Sequence, residues 1–555
     1  MPAKNIILWL FYLTFGLLLI SLPFSNYMMS VTQFTLVGIF ILDGIKKAEY
    51  DDFIRKYNVT GIIFLFLPNT LLWITRSLGR KFRSFFHKEN APAWIFSSIY
   101  LMHLLGLFLT TDFHYALKDL RIKFPLFLLP LILSTTGNID RKAFRYFTLL
   151  FIASVFTGTI ISTFVFLNGT IHDYREISVF ISHIRFSLLI DLAVLQSFYL
   201  VLKRNTDPAG LKVTLFFAGL WMIAFLIIFA FMTGLAILLA TAAILIFVNA
   251  MSRPGWKLKI ATVGVLAVFF LTTGFYLRNV ARDVYRINPI DLKSLEKVTA
   301  LGNYYWNDTL SPQIENGNYV WIYVSKNEMR DAWNQRSQYE FEGRDEAGQE
   351  LQYTLIRFLT SKGYRKDAGG VEKLTDEEVA MVENGIASIV YAEKSPLYVR
   401  IYKTFWEYRE YQITRNASGH SLMQRMEYWR TAAAIVKDNS SWWVGIGTGD
   451  LDKAFQEQYD KMDSKLDKAF RWRTHNQFLA IFVTFGSVGL AWFVFCLIFP
   501  AARLRKFSDF YFLSFFIVFI LSMFTEDTLE TQVGVTQFAF FTSFYLFLRK
   551  FIDIF

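Results

Sequence analysis

The chain has 555 residues, 54% of them hydrophobic, and a formal net charge of +11. That is too apolar for a water-soluble protein and fits a polytopic membrane protein. The basic residues gather in short loops on one side of the apolar runs, so the charge reads as membrane topology and not as a nucleic-acid surface. A lone cysteine, Cys496, excludes an internal disulfide and any Cys-based metal site.

Twelve apolar runs are long enough to cross a bilayer, some only with help from flanking residues: 6–22, 27–45, 92–111, 122–136, 146–168, 178–202, 213–231, 233–250, 260–278, 476–500, 508–525 and 534–550. The first resembles a signal peptide, but no small-residue cleavage site is evident and the next run follows at once, so it reads as an anchor. Lys46, Lys47, Arg55 and Lys56 mark one side. Arg141, Lys142 and Arg145, then Lys203, Arg204 and Lys212, then Arg253, Lys257 and Lys259 fall on that same side. So do Arg503, Arg505 and Lys506, and finally Arg549 and Lys550. This predicts cytoplasmic loops there and both termini in the cytoplasm. Residues 59–75 are apolar but short, interrupted by Pro68 and Asn69 and flanked by basic residues at both ends. If they crossed, every later basic loop would lie outside. They are therefore expected to be interfacial or re-entrant.

The expected organisation is a membrane domain over 1–280, an extracytoplasmic loop domain over 281–475 and a C-terminal membrane part over 476–555. Within the loop, Thr375–Val390 and Ser421–Val436 carry helical apolar spacing. Phe341–Glu350 and Gly363–Gly370 read as exposed loops.

Several polar side chains stand where burial is costly. His475, in RWRTHNQFLAIFVTFGSVGL, lies where the loop enters an apolar run. With Thr474 as N-cap it would occupy a helix's first turn, where the helix dipole, Arg471 and Arg473 disfavour imidazolium. A neutral imidazole there can act as a base; alternatively it only hydrogen-bonds a carbonyl. Run 178–202 holds His183, Arg185 and Asp191. Arg185, about seven residues or ~10 Å in, suits either an anion in a cavity or the carbonyls of neighbouring helices. Arg425, one turn before Trp429, is a second anion clamp or a solvated surface residue. Glu526 and Asp527 either orient a histidine, bind an acceptor hydroxyl, or form a solvated turn. Glycines 445, 447 and 449 in WWVGIGTGD mark a tight turn of closely approaching backbone. Asp450-Leu451-Asp452 is a weak metal-type motif on that side of a membrane. No clustered metal-ligand spacing is otherwise present. Trp429, Trp442, Trp443 and Trp472 fall in the loop, where aromatics suit a core or an interface.

Five stretches in this order resemble the O-antigen ligase family of bacterial glycosyltransferases, relatives of O-antigen polymerases: SHIRFSLLIDLA (182–193), SLMQRMEYWRTA (421–432), GIGTGD (445–450), THNQFLAIFVTFGSVGL (474–490) and FTEDTLETQVGV (524–535). The resemblance implies an all-α, GT-C-like architecture of about twelve spans in the bacterial inner membrane, with a periplasm-facing site. It implies a glycan donor on undecaprenyl diphosphate, a lipid A–core acceptor, membrane lipids as surroundings, and no cofactor, metal or nucleic acid. In that scheme His475 is the catalytic base, Arg185 and Arg425 bind the diphosphate, and Glu526, Asp527 and His183 support them. Family members often carry Ser-Arg-x-Gly where this chain has Phe231-Met232-Thr233-Gly234, which leaves the anion to Arg185 and Arg425. A polymerase of the same superfamily, or a transporter with an outer domain, are the alternatives; a transporter predicts inverted repeats, which are not evident.

Overall fold

The computed structural model describes residues 3–43, 68–169, 177–203, 207–438 and 442–553. Helices dominate them, with one short hairpin of Ile314–Glu315 against Asn318–Tyr319. Among the described residues, eight helices are long and apolar enough to cross a membrane: Ile6–Phe24, Lys88–Leu109, Arg141–Leu167, His183–Leu202, Ala209–Ile228, Met232–Ser252, Trp256–Tyr285 and Gln477–Arg503. Phe510–Met523 and Gln532–Leu548 are shorter apolar helices. The protein is thus a helix-rich, multi-pass membrane protein. By contact it divides into two compact units, Met1–Gly255 with Arg425–Phe555, and Trp256–Gln424.

One expected run takes a different form. Run 122–136 is interrupted: a polar helix Phe113–Lys123, capped by the Asp112 carboxylate, ends at Phe124, and Pro125 opens a second helix, Pro125–Thr135, of 11 residues. Proline suits a first helical position because it has no N–H to leave unpaired. At 1.5 Å per residue this helix rises only ~16 Å, about half the hydrocarbon thickness. The short apolar segment 59–75 lies outside the described residues up to position 67. From there the chain forms the amphipathic helix Pro68–Phe85, whose Lys81 Nζ donates to Phe40 O at 2.5 Å and pairs with Asp43 at 3.3 Å.

The basic residues near the C-terminus do more than mark a side. Arg549 is 0% exposed, with Nη1 on Asp509 Oδ1 and Nη2 on Asp553 Oδ2, both at 2.7 Å. Lys506 Nζ donates to Arg549 O at 2.7 Å, and Lys203 pairs with Asp553 at 2.6 Å. Asp509 also caps the Phe510–Met523 helix by accepting from Phe512 N. Removing one partner of a buried ion pair leaves an uncompensated charge. Asp509→Ala should therefore cost about 3–5 kcal/mol, read as a lowered melting temperature in detergent. A loss below ~1 kcal/mol would mean that water reaches the Arg549 charge.

The helix Gln477–Arg503 breaks at Gly486, whose φ of 65° and ψ of −167° only glycine adopts readily. A break in an apolar helix strands backbone groups that lipid cannot satisfy. The turn after residue 441 supplies the partners. Ile446 N and Gly447 N donate to Val483 O and Thr484 O, while Ser487 N and Val488 N donate to Trp442 O and Trp443 O. A Cβ at Gly445 would stand 2.4 Å from Thr484 C, and one at Gly486 2.2 Å from Trp443 C. What the glycine-rich turn approaches is therefore the chain's own backbone. Gly486→Ala should destabilise by about 1–3 kcal/mol from backbone strain alone, with the clash adding to it. Wild-type thermal stability in that variant would refute the account.

The unit Trp256–Gln424 has its own core, built around Val324, Met329, Trp333, Leu355, Phe358 and Val382. The expected helix over Thr375–Val390 is only two turns long. Thr375 and Glu378 form a reciprocal capping box at Asp376–Glu383, and Gly385, at φ 80°, ends it. The two segments expected to be exposed loops are not wholly so. Phe341 enters the core, and Lys366 and Asp367 are buried. Gly, Asp and Glu content predicts loops but not whether side chains between them turn inward.

Candidate functional site

The turn Thr525–Thr528, between the last two apolar helices, is where the candidate residues meet. It holds two buried acids, Glu526 and Asp527. Arg425 comes from helix Ser421–Asp438, its Nε donating to Thr525 O at 3.0 Å and its Nη2 bonding Glu526 Oε1. His475 Nδ1 faces the other oxygen of that carboxylate, Glu526 Oε2, at 3.4 Å, and Asp527 Oδ1 lies 3.9 Å away. Arg185 approaches the same turn from helix His183–Leu202. Its Nη1 donates to Thr528 Oγ1 at 3.2 Å and its Nη2 to Asp527 O at 3.4 Å. It is 5% exposed, and among the described residues it forms no ion pair with a carboxylate.

Local chain geometry fixes His475. It does not occupy a first helical turn, and Thr474 is not the N-cap. Asn476 is: its side chain accepts from Leu479 N at 3.0 Å, leaving His475 one residue outside the helix at φ 44°. A non-glycine residue there is strained and needs its surroundings to hold it. They do so through Thr474 Oγ1, which accepts from Asn476 N and donates to Asn476 O, and through Trp429 Nε1, which donates to Thr474 O at 3.1 Å. Tyr428 stacks on the imidazole, ring centroids 5.4 Å apart. Asn476 Nδ2 donates to Phe524 O, and the Gln477 side chain accepts from Leu529 N and donates to Glu530. Two consecutive amide side chains thus staple the histidine's helix to the acidic turn.

The expected electrostatics at His475 need correction as well. Arg471 turns away, onto Asp460 at 2.5 Å and the carbonyls of Leu466 and Ser464. Arg473 pairs with Glu530 at 3.3 Å and lies 3.9 Å from Asp527. The nearest charges to the imidazole are carboxylates. Burial pushes the Glu526 carboxyl up, but the hydrogen bond with His475 and the charges of Arg425 and Arg185 overcome it and bring it down to about 2. An ionised Glu526 only accepts, so Nδ1 carries a proton toward it and the neutral ring's lone pair is on Nε2.

Arg185 lies closer to the start of its helix than its place in the apolar run suggests. The helix starts only at His183, with Ser182 as N-cap, so Arg185 is in its first turn. His183 meets the Phe231 ring, centroids 6.0 Å apart. The helix carrying Phe231-Met232-Thr233-Gly234 packs closely there: a Cβ on Gly234 would stand 2.5 Å from Ser187 Cβ.

A second layer of charge was not singled out from the sequence. Glu530 receives Lys123 Nζ at 3.0 Å as well as Arg473, and Lys123 also bonds Asp119 at 2.5 Å. Glu530 follows Glu526 by four residues in the same motif, which was the available signal; its partners are remote in the chain. Asp450 is no metal motif. Its carboxylate accepts from Thr111 N, Thr111 Oγ1 and Asp112 N. Trp429 is structural through Thr474, whereas Trp442, stacked on Trp443, and Trp472 are exposed. The donor atoms of His475, Glu526 and Asp527 lie within 4.8 Å of one another, so these three could also hold a divalent cation.

Residues 381–494 match the family model described as O-antigen ligase. No curated protein matches the chain.

Proposed function

We propose, from the match of residues 381–494 to the O-antigen ligase family model, that the chain transfers a glycan from undecaprenyl diphosphate to a sugar hydroxyl of lipid A–core. In this reading it is a GT-C-like enzyme of about twelve spans in a bacterial inner membrane, with its site facing the periplasm. The observation that supports it most is the sharing of one buried carboxylate: Arg425 takes one Glu526 oxygen and His475 faces the other, beside a buried Arg185.

His475 Nε2 removes the acceptor hydroxyl proton as the hydroxyl oxygen attacks the anomeric carbon. The bond from that carbon to the diphosphate oxygen breaks on the opposite face, which inverts the centre. The bonding electron pair leaves with the diphosphate. Arg185 supplies charge-assisted hydrogen bonds to that leaving group, and Arg425 adds positive charge beside it. Glu526 is a positioning residue that orients the imidazole and balances the imidazolium formed. With two guanidinium groups meeting the developing charge, the reaction needs no metal. The His475–Glu526–Asp527 cluster offers the opposite possibility, and chelation separates them.

The test is transfer in vitro from carrier-linked glycan to lipid A–core by the purified protein. Activity should persist in EDTA. Activity lost in EDTA and restored by a divalent cation would replace the arginine mechanism with a metal one. Loss of the gene should leave long carrier-linked glycans; single repeats in their place would identify a polymerase built on the same site.

A further inference from the structure

We propose that a cleft in the unit Trp256–Gln424 binds a single acidic sugar residue, with the sugar's carboxylate or phosphate on the Lys366 ammonium. The cleft has a volume of about 190 Å³ and includes Asn288, Asn318, Tyr319, Tyr323, Tyr364 and Lys366 in its lining. A volume of that order has room for a small polar molecule.

Lys366 is the feature that asks for a ligand. Its backbone is locked, N–H donating to Tyr323 O at 3.0 Å and C=O accepting from Ser325 N at 2.7 Å. That places its side chain in the floor of the cleft at 3% exposure. Its ammonium has three protons to donate. Among the described residues the acceptor it reaches is Tyr319 O, at 3.3 Å, and it forms no ion pair. The adjacent Asp367 carboxylate is engaged elsewhere, by the Tyr305 hydroxyl and by Gly370 N at 2.8 Å. Burial pushes the Lys366 amine down to about 7, against the pull of Asp367. A buried cation without a counter-charge is costly, and an anion entering the cleft would supply that charge. Arg365, at the rim, is already matched by Glu296, which leaves Lys366 as the anion's partner.

The remaining lining says what carries the anion. Asn288 Nδ2 donates to Asn318 Oδ1 at 2.9 Å, and Asn318 Nδ2 to Thr360 O at 3.0 Å. This fixes an amide pair at one wall. Tyr319, Tyr323 and Tyr364 are among the rest, beside Pro289, Ile290 and Ile322, and Arg365 lies over the Tyr323 ring. Fixed amides with aromatic faces suit a polyhydroxylated ring; a bare inorganic anion would use neither. The choice of a sugar rests on the glycan-transfer reading, whereas the anion site rests on Lys366 alone.

The experiment is ligand-observed NMR on the full-length protein in nanodiscs, with glucuronic acid, glucose 6-phosphate, glucose and inorganic phosphate as probes. Wild type should bind the two acidic sugars at least about tenfold more tightly than glucose and than phosphate. Lys366→Gln should bring both to the level of glucose, and Lys366→Arg should keep part of the preference. Equal binding of glucuronic acid and glucose by wild type overturns the proposal without any variant. So does binding of no sugar, or an acid preference that survives Lys366→Gln. Phosphate bound as tightly as the acidic sugars would make this a plain anion site and also overturn it. His475→Ala should bind the acidic sugars as wild type does. Absent sugar binding with intact transfer sinks only this proposal; sugar binding without transfer sinks only the transferase reading.

Discussion

His475→Ala should lower kcat for glycan transfer by about 10²–10⁴-fold, the usual contribution of a positioned general base, with a far smaller change in KM for the carrier-linked donor. The imidazole faces Glu526 through Nδ1, so what the substitution removes is the proton acceptor and not a donor-binding group. His475→Gln retains a hydrogen-bonding side chain but no base, and should be as inactive as alanine. A variant retaining more than about a tenth of wild-type turnover would remove histidine from the chemistry. His475→Ala keeps the strained φ of 44° and gives up the bond to Glu526, so a modest fall in melting temperature is expected. Turnover is therefore compared at a temperature where both proteins are folded, and a loss that merely follows the folded fraction would mark a structural role.

Arg185→Ala should cost about 10²–10³-fold in kcat, as the loss of a charged donor to a leaving group does. Its hydrogen bonds to Thr528 Oγ1 and Asp527 O are to neutral acceptors, so its fork holds no carboxylate among the described residues, although the Glu526 and Asp527 charges lie close by. Arg185→Lys keeps the charge but loses the planar fork and should recover only part of the rate. A structural role predicts a different pattern, with Lys and Ala equally destabilising and turnover following folded fraction. Inorganic pyrophosphate separates the two. It should inhibit wild type and inhibit Arg185→Ala at least about tenfold more weakly; equal inhibition would take Arg185 out of the diphosphate site.

The acidic turn also sets a pH dependence of stability. The Glu526 carboxyl is at about 2 in the fold against an ordinary 4.5. Its contribution is therefore fully present above pH 4.5 and is lost as pH falls through 2. Glu526→Gln should flatten melting temperature against pH across that window. An unchanged slope would place the acid lability elsewhere.

Much of the site could be read in the sequence because burial in a bilayer is so selective. Arg185 in an apolar run, His475 at the edge of another and an acidic pair at a third are each costly in lipid, which marks them without coordinates. The same physics limits what can be read. The N-cap of the His475 helix depends on which of Thr474 and Asn476 turns its side chain back to the helix, and both are suitable capping residues. The direction of Arg471 depends on Asp460, eleven residues earlier in another helix. Run 122–136 looked continuous because hydropathy does not register the stop that Phe124-Pro125 imposes.

By itself the sequence determined that this is a multi-pass helical membrane protein, which residues are out of place in lipid, and the order of the motifs along the chain. Hydrophobicity and charge act locally, and they suffice for that. Only the tertiary structure decided that one carboxylate, Glu526, is divided between Arg425 and His475, that Glu530 joins Lys123 to Arg473, and that the glycine-rich turn closes a broken helix. Each of these joins groups far apart in the chain, and such partners are chosen by the packing of whole helices, which no local pattern encodes.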